Sequence, residues 1–234
     1  MTMNETPDAT TRPFFNRLVE AIIFLLVVSL LPAILSFNPH ATFNNASGYL
    51  LLFCYWAAFI VTIIIAAKRF RYWSGQRLFH DFKFRDLGIV IGAYIAILLV
   101  ENLLLALQKA LYHQQSTANN DAIIALMKHS PVMLVGMAVS AVFLTPFLEE
   151  LVFRGLITNL FFKPGHLWPK LLLSALLFSG AHLSTNPISF LVYFCMGFIL
   201  AAVYQLTQKQ FNSIMVHFLI NALSMTQIIL LVLK

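Results

Sequence analysis

Seven apolar stretches set what this chain can fold into: 18–37, 47–67, 87–107, 131–162, 169–184, 187–206 and 211–233. A helix that crosses a bilayer needs about 20 mainly apolar residues, because lipid offers the backbone no hydrogen-bond partner. The fourth stretch is overlong and the fifth is short. Charged residues make up 10% of the 234-residue chain, against about 25% in soluble domains. The expected fold is therefore all-α, a polytopic integral membrane helical bundle with about seven transmembrane helices. A soluble α/β or all-β fold is a poor reading of this composition. Cys54 and Cys195 both fall in apolar runs and read as buried thiols rather than a disulfide.

The net charge of +6 does not call for nucleic acid, since Lys and Arg gather in the cytoplasmic loops of membrane proteins. Arg12 and Arg17 precede the first stretch, and Lys68, Arg69, Arg71, Arg77, Lys83 and Arg85 separate the second from the third. Lys163, Lys170 and Lys209 fall in later loops on the same side, whereas the opposite loops hold only Lys109 and Lys128, with Lys234 at the end. This bias predicts an N-terminus inside and loop 108–130 outside. The expected organisation is a polar segment, 1–17, disordered at its start; N-terminal transmembrane helices with a basic cytoplasmic loop, 18–130; and a catalytic transmembrane core, 131–234. The first apolar stretch reads as an uncleaved anchor, since no small-x-small cleavage site follows it.

Ionisable groups at membrane depth are costly and mark functional sites. Here they are Glu101, with Asn102 beside it, then Glu149, Glu150 and Arg154, then His182, and finally His217 with Asn221. Counted at about 1.5 Å per residue from the lysines, Glu149 lies ~21 Å deep, His182 ~18 Å, His217 ~12 Å and Asn221 ~18 Å. Three helices thus bring four polar groups to similar depth. Glu150 and Arg154 stand at i and i+4 and can pair. Glu149 is turned about 100° away and has no i+4 cation. His217 and Asn221 share a helix face. Pro146 removes a backbone donor one turn before Glu149. The sequence "HLSTNP" stops the fifth helix soon after His182.

A carboxylate and a histidine can hold and deprotonate water, and a second histidine and an amide can donate to a developing oxyanion. Together they suit peptide-bond hydrolysis without a covalent intermediate. A carboxylate with two histidines can also bind zinc, which makes Glu149, His182, His217 and Asn221 candidate metal ligands. No cofactor is required by the sequence, and a divalent ion such as zinc is the one it allows. The chain has no H-E-x-x-H and no G-x-S-x-G motif. Phe178 reads as packing, and Glu101 and Asn102 as cavity lining or interhelical bonding.

Glu149-Glu150-x-x-x-Arg154, Phe178-x-x-x-His182 and His217-x-x-x-Asn221 resemble, in order and spacing, the three motifs of the CAAX protease and bacteriocin-processing family. These are intramembrane endopeptidases related to the type II CAAX prenyl endopeptidase and to lysostaphin resistance protein A. The resemblance covers about 131–225. It implies that Glu149 and His182 activate water, that His217 and Asn221 stabilise the oxyanion, and that Arg154 pairs with Glu150 or with a partner on another helix. It is compatible with either a metal-dependent enzyme or a glutamate protease. The expected substrate is a peptide or membrane-associated protein segment, cut near the cytoplasmic half of the bilayer. The expected setting is a bacterial cell membrane, with bacteriocin processing or self-immunity as the role and no nucleic-acid partner. The competing readings are a proton-coupled transporter, which predicts inverted repeats, and a non-catalytic scaffold or immunity protein.

Overall fold

The computed structural model describes residues 11–79 and 82–233. Most of the segment expected to begin in disorder, residues 1–10, and also His80 and Lys234, lie outside the described residues. Among those described, every regular element is helical. Helix α1, Phe14–Leu30, continues as a 3₁₀ run, Leu31–Phe37, with Pro32 in its first turn. Then follow α2, Ala46–Ser74; α3, Phe84–Tyr112; and a short α4, Ala118–Met127. The long α5 spans Pro131–Phe161, followed by α6, Leu167–Gly180; α7, Pro187–Thr207; and α8, Gln210–Val232. Six of these, counting α1 with its 3₁₀ extension, are long and apolar enough to cross a membrane; α6, at 14 residues, is shorter. The polytopic all-α fold is thus borne out.

Local chemistry sets the ends. Asn45, Thr117 and Ser130 cap α2, α4 and α5 by accepting from a backbone N–H inside the first turn, and Asn186 with Ser189 forms a capping box on α7. These contacts satisfy donors that a helix start leaves unpaired. Gly75, at φ 67°, closes α2 in the left-handed region, where glycine pays no Cβ penalty. Both α2 and α3 have 29 residues. At about 1.5 Å per residue each is ~43 Å long, more than the hydrocarbon core alone.

The outer face of α3 shows how the bundle meets lipid. Ile91, Ile95, Leu99 and Leu103, each four residues apart, are all exposed, whereas Val90, Ile97 and Gln108 are buried. In lipid, close packing rather than water exclusion holds helices together. Gly197 on α7 illustrates this, because a Cβ there would stand 3.1 Å from the Cα of Ala175 on α6. The same bare backbone leaves its carbonyl open to Arg154, whose Nη2 donates to it at 3.1 Å.

Two wide turns interrupt α5, at Ser140–Leu144 and Leu151–Leu156. The first lies just before Pro146, which has no N–H to donate one turn back. Turns of this kind free backbone carbonyls and re-aim side chains, and they concentrate at functional sites. Glu149 and Glu150 sit on the short α-helical piece between them.

Candidate active site

The carboxylates of α5 face two different environments. Glu150 is fully buried and pairs with Arg154 across 3.1 Å, and Arg154 is itself fully buried. The guanidinium lies 4.4 Å from the centre of the Phe178 ring. Glu150 Oε1 also accepts from Nδ1 of His217 on α8 at 2.9 Å. Glu149 instead lines a cavity of about 430 Å³, and its Oε2 lies 3.9 Å from Nε2 of His217. His217 therefore bridges the pair, with one nitrogen held by Glu150 and the other near Glu149. The sequence assigned Glu150 to Arg154 alone. The structure adds a second task, fixing the imidazole of His217.

His182 lies just beyond the end of α6. Its Nδ1 donates to the carbonyl of Phe178 at 2.7 Å, which leaves Nε2 as the lone-pair nitrogen of the neutral ring. The ring is stacked on Tyr193 of α7, with centroids 4.3 Å apart and planes 20° apart. Tyr193 in turn shares a 2.7 Å hydrogen bond with Thr117, the cap of α4. Asn221 donates from Nδ2 to the carbonyl of Ala141 at 2.8 Å, a group inside the first wide turn of α5. The distortion near Pro146 thus gives the amide its anchor.

Glu149, His182, His217 and Asn221 all line the one cavity, together with Tyr55, Ser140 and Tyr193. The four groups chosen from sequence are brought together. Glu150, Arg154 and Phe178 stand behind them. The Phe178 ring is fully buried and packs against Arg154, His182, His217 and Phe153. Glu101 lines the cavity too. Asn102 does not; its amide donates to the carbonyl of Leu98 on its own helix.

The cavity runs away from the Lys163, Lys170 and Lys209 end. Its far wall is α4, through Asn119, Asn120, Ile123 and Leu126, and the distal part of α8, through Ser224, Met225 and Ile228. The space adjoining Glu149 lies from mid-bundle toward the opposite end. Sequence reading missed α4, Tyr193 and the Ala141 carbonyl. The "STAN" start of α4 carries a cap signal at Thr117 that could have revealed the helix.

Among the described residues, no three His, Cys, Asp or Glu side chains converge so as to hold a metal ion. Of the candidate ligands, Glu149, His182 and His217 thus do not converge as one ligand set in this arrangement.

Fold and site together define an all-α integral membrane protein with a carboxylate–histidine centre inside its bundle. Residues 131–223 match the family model described as Rce1-like, type II CAAX prenyl endopeptidase Rce1-like. The match falls on the stretch that carries the three motifs, so the C-terminal helical core is similar to the CAAX protease family of intramembrane endopeptidases. No curated protein and no solved structure matched the chain in the comparisons made.

Proposed function

We propose that the chain is an intramembrane endopeptidase that hydrolyses a peptide bond with water activated by Glu149 and His182. The observation that carries this reading is the shared cavity lined by Glu149 of α5, His182 just beyond α6, and His217 and Asn221 of α8. Glu149 accepts a proton from the water, and the Nε2 lone pair of His182 holds it in line. Oxygen attack on the scissile carbonyl develops an oxyanion. The second Nδ2 hydrogen of Asn221 and, in the imidazolium form, the Nε2–H of His217 donate to it. Glu149 then passes its proton to the leaving amine, so the carboxylate is regenerated and no covalent enzyme intermediate forms. Glu150 and Arg154 keep His217 aimed.

The substrate is a peptide or membrane-protein segment that reaches the cavity from the side where α4 lies. Bacteriocin processing or self-immunity in a bacterial membrane is the role we favour, on the strength of the motif resemblance. Asn221→Ala should keep KM and lower kcat about 10²–10³-fold, the usual loss for one oxyanion donor. Asn221→Asp should be slower still, since a carboxylate repels the oxyanion. Turnover of both variants across a zinc titration checks this; a zinc-stimulated Asn221→Asp enzyme would reassign the residue as a metal ligand.

The proposed orientation places Arg77 in the cytoplasm and Ala118 outside, following the basic loops. Single-cysteine variants at these positions, in a background lacking Cys54 and Cys195, should label from outside only at 118. Outside labelling at 77 alone would invert the topology.

A further inference from the structure

We propose that Glu101 is a binding carboxylate of the same cavity and takes a cationic group of the substrate: a lysine or arginine side chain, or a free α-amine. The proposal rests on the peptidase reading above.

Position is the first argument. At about 100° per residue, Glu101 falls within ~20° of the direction shared by Val90, Ile97 and Gln108, which are the buried residues of α3's mid and distal parts. It therefore points into the bundle, opposite the Leu99 and Leu103 lipid face, and it lines the cavity that holds Glu149. Partners are the second. The residues three and four positions away, Ile97, Leu98, Leu104 and Leu105, are all apolar, so no helical neighbour can neutralise it. Among the described residues it makes no hydrogen bond and no ion pair. The third is the charge of the cavity. Its walls carry two carboxylates, Glu101 and Glu149, and no lysine or arginine. The nearby guanidinium of Arg154 is already engaged by Glu150 and Gly197. An acid at membrane depth is retained against a steep cost when something cationic or aqueous meets it. Glu149 is committed to the water. Glu101, on a different helix, is left to select what enters.

The test uses the purified full-length protein in detergent and a series of otherwise identical peptides. Each carries lysine, arginine, norleucine or glutamate at successive positions around the scissile bond, with the N-terminus free or acetylated. Two quantities are read: kcat/KM, and the thermal stabilisation each peptide confers. The wild type should favour lysine over norleucine at one position by about tenfold or more, in line with measured couplings of close charge pairs. In Glu101→Gln the ratio should fall toward one, and in Glu101→Lys it should invert toward glutamate. A preference for the free over the acetylated terminus instead identifies the α-amine as the ligand. A ratio that survives Glu101→Gln, including one preserved under a uniform loss of rate, overturns the proposal. If the wild type cleaves no peptide, the peptidase reading fails by itself. The stabilisation data still decide this inference, since basic peptides must stabilise the wild type more than they stabilise Glu101→Gln.

Discussion

Glu149→Gln should yield a folded protein that has lost turnover by about 10²–10⁴-fold, the range that a positioned acid–base group supplies. The substitution keeps the shape of the side chain. It removes no ion pair to Arg154, because that pair belongs to Glu150. Among the described residues the close ionic contact of Glu149 is with His217, across 3.9 Å on the cavity side. Stability should therefore hold while kcat falls, and KM should move little. Glu150→Gln should behave differently. It strips a buried guanidinium of its counter-ion and takes the carboxylate acceptor from Nδ1 of His217, so both melting temperature and turnover should drop. The comparison is made by measuring kcat and thermal unfolding on the same preparations. Equal patterns in the two variants would dissolve the division of labour between the neighbouring carboxylates.

Arg154→Met should be the most destabilising change in the core. Removing one partner of a fully buried ion pair strands the other charge, at a cost of about 3–5 kcal/mol. Arg154 also donates to Gly197 and covers the face of Phe178, so packing of α5 against α6 and α7 suffers as well. Low yield and a lowered midpoint in detergent are the expected results. The double variant Glu150→Leu with Arg154→Met should recover much of the stability, since an apolar pair can replace a buried ion pair with little loss. It should not recover turnover, because His217 then lacks its carboxylate. Thermal unfolding of the single and double variants checks the first half, and peptide turnover the second.

What the sequence makes legible here follows from the range of the interactions. Hydropathy finds the spans because lipid demands apolar length, and it finds α6 as the short one. Helix spacing finds the Glu150–Arg154 pair because four residues make about one turn. The bond between Glu150 and His217 joins residues 67 apart, and no local pattern encodes it. The wide turns of α5 change hydrogen-bond register without changing hydropathy, so only the position of Pro146 hints at them. Helix α4 hides within a polar connection, and with it the wall that turns the cavity away from the lysine-marked end. Glu101 stands out in sequence as a lone acid on α3, but its place in the cavity depends on how α3 packs against α7 and α8.

The most direct test of direct water attack is a single turnover in ¹⁸O-labelled water, with purified protein in excess over a membrane-inserted peptide, quenched and read by mass spectrometry. Direct attack by water should give two fragments, one ¹⁸O in the new carboxylate, and no mass added to the protein at any quench time. Absence of fragments, or an acyl adduct on a serine or cysteine of the chain, would contradict it.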